Sequence, residues 1–97
     1  MQLTGKQKTF LRGLAHELKP VVQIGVAGLT DGVALQIDGA LEIHELIKVK
    51  VAKEAPIDAD AVGGPLEAIG AALAQRIGRT VVLYRPRRQD PAIRLPR

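Results

Sequence analysis

A chain of 97 residues has room for one domain, and its 46% apolar content suits a folded protein rather than a disordered tail. It contains no cysteine, which excludes disulfides, thiolate zinc sites and cysteine catalysis, and its only aromatic residues are Phe10 and Tyr84. The formal net charge of +4 is uneven: residues 1–75 carry −2, whereas 76–97 carry +6 from seven arginines opposed by Asp90 alone.

With two aromatic residues, a surface that reads bases by stacking them on rings is excluded. No apolar run approaches the roughly 20 residues of a membrane span, and the start lacks a signal-peptide hydrophobic region. A cytoplasmic protein with no membrane partner is expected. Guanidinium groups bind phosphate through a planar fork, so the arginine-rich end suits an anionic partner. A solvated tail that only keeps the protein soluble is the alternative.

Thr4-Gly5-Lys6-Gln7 has the form of a capping box at the start of a helix. Behind it Phe10, Leu11, Leu14, Ala15 and Leu18 recur at helical spacing until Pro20, which cannot continue a helix. Val21-Val22-Gln23-Ile24 reads as a short buried strand, followed by a tight loop, Gly25-Val26-Ala27-Gly28. Thr30 is a good N-cap for a second helix, with Asp31 suited to the dipole and Val33, Ile37, Ala40 and Leu41 on one face.

From Glu45 to Ala52 the period changes to two, so Ile47, Val49 and Val51 point one way and Lys48 and Lys50 the other. That pattern predicts a strand with a wet, basic outer face. The stretch 57–77 is ambiguous: a third helix over 57–69 is interrupted by Gly63-Gly64-Pro65, while a helix from Pro65 to Arg76 fits equally. Thr80-Val81-Val82-Leu83-Tyr84-Arg85 is a β-branched strand that Pro86 ends, and Ala92-Ile93-Arg94-Leu95 fits a short edge strand. The order α-β-α-β-α-β-β predicts an α/β fold in which helices pack on one mixed sheet.

Little in the chain suggests catalysis. There is no serine, no His-Glu-x-x-His pair and no Walker-type phosphate loop, so neither an enzyme nor a bound metal or cofactor is expected. His16 and His44 each precede a glutamate near a helix end, where a cation suits the dipole. The loop Gly25-x-x-Gly28 is the one motif with a mechanism. Its glycines let backbone amides approach a ligand, and its place before a helix N-terminus favours an anion. Two glycines at that spacing also make an ordinary turn.

Taken together, five blocks resemble the CRM domain family (chloroplast RNA splicing and ribosome maturation), specifically its stand-alone bacterial members of the YhbY type. They are Leu11 to His16, Leu18 to Val22, Gly25 to Val33 around the loop, His44 to Lys50, and Ile77 to Pro86. The resemblance spans nearly the whole chain and implies a single RNA-binding domain over 1–97. It also implies a hairpin of about 72–77 with 80–85 in place of the long helix, leaving the third helix shortened or broken. Bacterial members associate with precursors of the large ribosomal subunit, and plant relatives act in group II intron splicing. The expected partner is therefore ribosomal RNA of that precursor, bound by a monomer. A module docking on a ribosomal protein or an assembly GTPase is the alternative.

The RNA-binding residues that the resemblance implies are Gly25, Val26, Ala27 and Gly28 of the loop with Arg12, Lys19, Lys48, Lys50, Arg79 and Arg85. Arg87 and Arg88 extend that set. Relatives often carry polar or basic residues inside the loop, so Val26 and Ala27 limit its contribution to backbone contacts. Phe10 is expected in the core, while Tyr84 is a candidate for either packing or stacking.

Overall fold

The computed structural model describes all residues, 1–97. The elements are α1 (Gly5–Ala15), β1 (Pro20–Ile24), α2 (Asp31–His44), β2 (Leu46–Val51), α3 (Gly63–Leu66), β3 (Ala72–Ile77) and β4 (Thr80–Tyr84). Both expected caps form. Thr4 and Gln7 make the reciprocal pair of a capping box, and Thr30 Oγ1 accepts from the Val33 amide at 3.2 Å. The ambiguous stretch resolves into the one-turn α3 between two 3-10 turns, as glycine and proline at 63–65 dictate, and then the hairpin.

The four strands lie in the order β1-β2-β4-β3. β1 pairs parallel to β2 through the α2 crossover, and the other two pairings are antiparallel. Alternation along the strands sends side chains to two unequal layers. On one face α2 covers a core that includes Ile24, Ile37, Leu41, Val49, Val81 and Leu83. On the other face α1 presses Leu11 and Ala15 onto Leu46, Ala72, Ala74, Val82 and Tyr84. The alanines let α1 sit close, but eleven residues of helix shield only one end of that face.

Several expectations are corrected here. α1 ends at Ala15, so Leu18 lies beyond it, and Phe10 is 38% exposed because the buried stripe is Leu11 and Ala15 alone. β1 is an edge strand with one covered face: Val22 and Ile24 are buried while Val21 and Gln23 face solvent. The Lys48–Lys50 face of β2 is wet only in part, since Leu46 on it is buried under α1. Residues 92–95 form no strand. Ile93 and Leu95 instead pack on the α1-side core.

What holds that C-terminal segment is a buried carboxylate. Glu45, 1% exposed at the α2–β2 junction, accepts from the amides of Ala92 (2.7 Å), Ile93 (3.1 Å) and Arg87 (3.2 Å). Burial by itself raises its pKa, but the three amides and the Arg87 charge outweigh burial and hold the carboxyl below its ordinary value of 4.5. A depressed folded-state pKa stabilises above the unfolded value and loses that contribution as pH falls through the folded one. Glu45→Gln is therefore expected to cost about 1–3 kcal/mol at pH 7, because its amide nitrogen would face a backbone donor. The gap from the wild type should narrow as pH falls below the ordinary carboxyl value of 4.5, in urea titrations followed by circular dichroism. A gap unchanged between pH 7 and pH 3 would remove Glu45 from this role.

Candidate nucleic-acid interface

One end of the sheet gathers three loops. The Ala52 amide donates to Ile24 O at 2.8 Å and the Val51 amide to Arg79 O at 2.7 Å. These bonds bring the 25–28 loop, the 52–55 turn and the β3–β4 turn side by side. The loop is itself a closed turn, with Gly28 N donating to Gly25 O at 2.9 Å. The amides of Val26 and Ala27 find no acceptor within the chain, and Val26 stands 73% exposed. They open onto solvent beside the start of α2, where the dipole favours an anion.

The two glycines differ in role. Gly28 has φ +79°, and a Cβ there would meet Pro56 Cγ at 2.9 Å. Gly25 has neither constraint, since a Cβ would meet nothing within 4 Å. The fold thus demands glycine at 28 and leaves 25 free.

Beside this end lies the uncovered half of the α1-side sheet face. In register across it run Gln23, Lys50, Thr80 and Ile77, and next to them Lys48 and Gln75 on either side of the buried Val82. Arg12 projects from α1 to the same groove as Lys48. Lys48 and Lys50, two residues apart on one strand face, are separated by about 6.8 Å. Arg12, Lys48, Lys50, Lys53 and Arg79 take part in none of the three ion pairs in the chain. Arg79, however, shares a shallow depression with Asp58 and Asp60, which temper its charge.

The remaining implied residues lie elsewhere. Lys19 leads into β1 at the opposite end of the sheet and lines a different groove. Arg85 is 8% exposed, with both terminal guanidinium nitrogens engaged inside the protein. It ion-pairs with Asp38, bonds Glu42 Oε1 at 3.1 Å, and donates to the carbonyls of Ile69 and Asp38, both at 3.0 Å. An arginine so enclosed holds the α2 acids to the sheet, with both terminal nitrogens committed inside the protein.

Arg87 is likewise committed, to Ile43 O at 3.2 Å and Asp90 O at 3.1 Å. Arg88 is exposed but shares a depression with Asp31 and Asp38 on the outer side of α2. β4 spans about 14 Å, so Arg87 and Arg88 lie at the far end from Arg79. Tyr84 is buried, and that burial, with the Glu45 charge, raises its pKa above 10.0. It packs and does not stack.

Sequence reasoning passed over Gly13, His16, Gln75 and Ile77, which join Arg12 and Lys48 around one groove. Gly13, a glycine inside a helix, was the one signal available; the placing of Gln75 depends on a β-bulge that leaves no mark in the sequence.

These placements separate fold from surface experimentally. Gly28→Ala is expected to lower stability by at least about 1 kcal/mol, and Gly25→Ala by no more than about 0.5 kcal/mol, in chemical denaturation. Equal losses at both positions would contradict the assignment. Arg85→Met should cost stability through the stranded Asp38 and Glu42, while leaving nucleic-acid affinity per folded molecule unchanged in equilibrium titration. A specific loss of affinity with intact stability would return Arg85 to the interface.

Comparison with known proteins identifies the family. The family model for the CRS1 / YhbY (CRM) domain matches residues 3–85. A Haemophilus influenzae protein named "RNA-binding protein" is 48% identical over 96 residues, covering 98% of this chain and 96% of its own. Probable RNA-binding protein YqeI of Bacillus subtilis is 44% identical over 95 residues, with 97% and 99% covered. The solution structure of the Staphylococcus aureus protein SAV1595 superposes with a TM-score of 0.82 at 43% identity, covering 98% of this chain and all of that one. With the family model spanning all seven elements, and relatives matching almost end to end, the chain belongs to the CRS1 / YhbY (CRM) domain family.

Proposed function

We propose that this protein binds structured RNA through the loop end and the open half of its sheet, and that the RNA belongs to the precursor of the large ribosomal subunit. The observation that carries the reading is the convergence of sequence-distant cations on one end of the sheet. Five cations that enter no ion pair, Arg12, Lys48, Lys50, Lys53 and Arg79, gather on one surface with the free amides of Val26 and Ala27. Arg85, the cation the fold encloses most fully, lies beyond the other end of β4. The names of the relatives support RNA as the polyanion. The ribosomal part comes from the family resemblance. In this reading the loop amides hold one phosphate, and Lys50 and Lys48 follow the strand at a step close to that between successive phosphates.

Binding of this kind is electrostatic and must weaken with salt. Each phosphate contact adds roughly 0.7–0.9 to the slope of log affinity against log salt. Lys48→Glu with Lys50→Glu is expected to flatten that slope by about 1.4–1.8 without unfolding the domain. Affinity unchanged by both substitutions would exclude this face. In sedimented lysate the protein is expected with large-subunit precursors and to leave those fractions after nuclease treatment.

One feature favours a protein partner as a second reading. An apolar groove of about 500 Å³, lined in part by Leu14, Leu18, Val21 and Ile93, opens at the opposite end of the sheet. Retention in precursor fractions after nuclease treatment would support that reading over RNA binding.

A further inference from the structure

We propose that the groove between α1 and the sheet receives a single unpaired nucleobase, so that the RNA this protein selects carries a bulged or looped-out nucleotide. The inference rests on the RNA-binding reading and deepens it. The groove has a volume of about 480 Å³, within the range of small-ligand pockets and ample for one flat heterocycle.

Its walls suit a base. On the helix side Gly13 presents no side chain, and a Cβ there would meet nothing within 4 Å. A glycine in a helix costs about 1 kcal/mol relative to alanine, and no packing contact explains it here. On the sheet side the pairing of β3 with β4 shifts register between Leu73 and Gln75, so that Ala74 is the extra residue of a bulge. Such bulges re-aim neighbouring side chains. Here Ala74 goes under α1 while Gln75, opposite Val82, lines the groove.

The Gln75 amide offers a donor and an acceptor, the pair that a base edge requires. Neither is used within the chain, for Gln75 makes no side-chain hydrogen bond there. Ile77, 57% exposed on the same strand, supplies an apolar surface for the face of a ring. Arg12 and Lys48 flank the groove where the phosphates on either side of an extruded nucleotide would pass. Phosphate contacts hold the strand, and one base enters between them. The one ring at the groove is the His16 imidazole, so discrimination comes mainly from fit and hydrogen bonding and is modest in size.

The test uses the full chain and three RNA hairpins alike in length and sequence: one fully paired, one with a single bulged nucleotide, and one with an abasic bulge. Fluorescence anisotropy at fixed salt is expected to give about tenfold tighter binding to the bulged hairpin than to either of the others. Gly13→Leu, which fills the groove from an open helix position, should erase that preference while keeping the salt slope. Gly13→Ala should raise the melting temperature, and Gln75→Ala should reduce the preference several-fold in a folded protein. Equal affinity for all three hairpins overturns the proposal and leaves the RNA-binding reading standing. A preference that survives both Gly13→Leu and Gln75→Ala moves the base elsewhere and overturns it too. Failure to bind any of the hairpins, with no salt-sensitive binding to large-subunit RNA, overturns both.

Discussion

A single carboxylate organises the end of this molecule that faces away from the candidate interface. Glu45 occupies a residue with φ 65°, where a side chain is costly and glycine is usual. The strained position is kept because it aims the carboxylate at three amides of the C-terminal segment. Its backbone works as well: Glu45 N donates to Leu41 O at 2.8 Å and its carbonyl accepts from Arg85 N at 2.9 Å. The end of α2, the start of β2, the end of β4 and the chain terminus thus meet at one residue. Without that junction Ile93 and Leu95 would be held only through the bonds of Gln7 and Lys6 to the carbonyls of Pro96 and Arg97, and the thin core beneath α1 would lose part of its cover.

The same junction draws part of the arginine-rich end of the chain into the fold. Asp38, Glu42 and Glu45 recur along α2 and engage Arg85 together with the amides of Arg87 and Arg88. Much of the local charge excess is answered internally. The basic surface at the other end is assembled from α1, β2 and the turns, where sequence-distant cations converge and Asp58 and Asp60 stand against them. Charge counted along the chain and charge presented in space are different quantities here, and the second decides what the protein can hold.

The architecture was largely legible because local signals agreed with it. The capping box at Thr4, the N-cap at Thr30, the period-two pattern around Lys48 and the β-branched run at 80–84 each have one reading. The hairpin of 72–77 was settled only by the family resemblance, since Leu66, Ile69 and Leu73 satisfy helical spacing as well as strand burial. The site was less legible for a physical reason. Whether Arg85 points to solvent or into the α2 acids depends on a contact across 47 residues, and no local pattern encodes it. The stripe Phe10-Leu14-Leu18 misled for a related reason: a short helix over an alanine-rich patch of sheet buries fewer of its apolar residues than periodicity suggests.

The contact between Gly28 and Pro56 bears on how the loop would meet a ligand. A loop fixed by its own turn bond, a left-handed glycine and a proline ring has few conformations to lose. Its free amides are already oriented before anything arrives, so capture requires little ordering of the chain. Association then approaches the docking of two formed surfaces, with its rate set by long-range attraction to the basic face and its selectivity by how quickly ill-fitting partners leave.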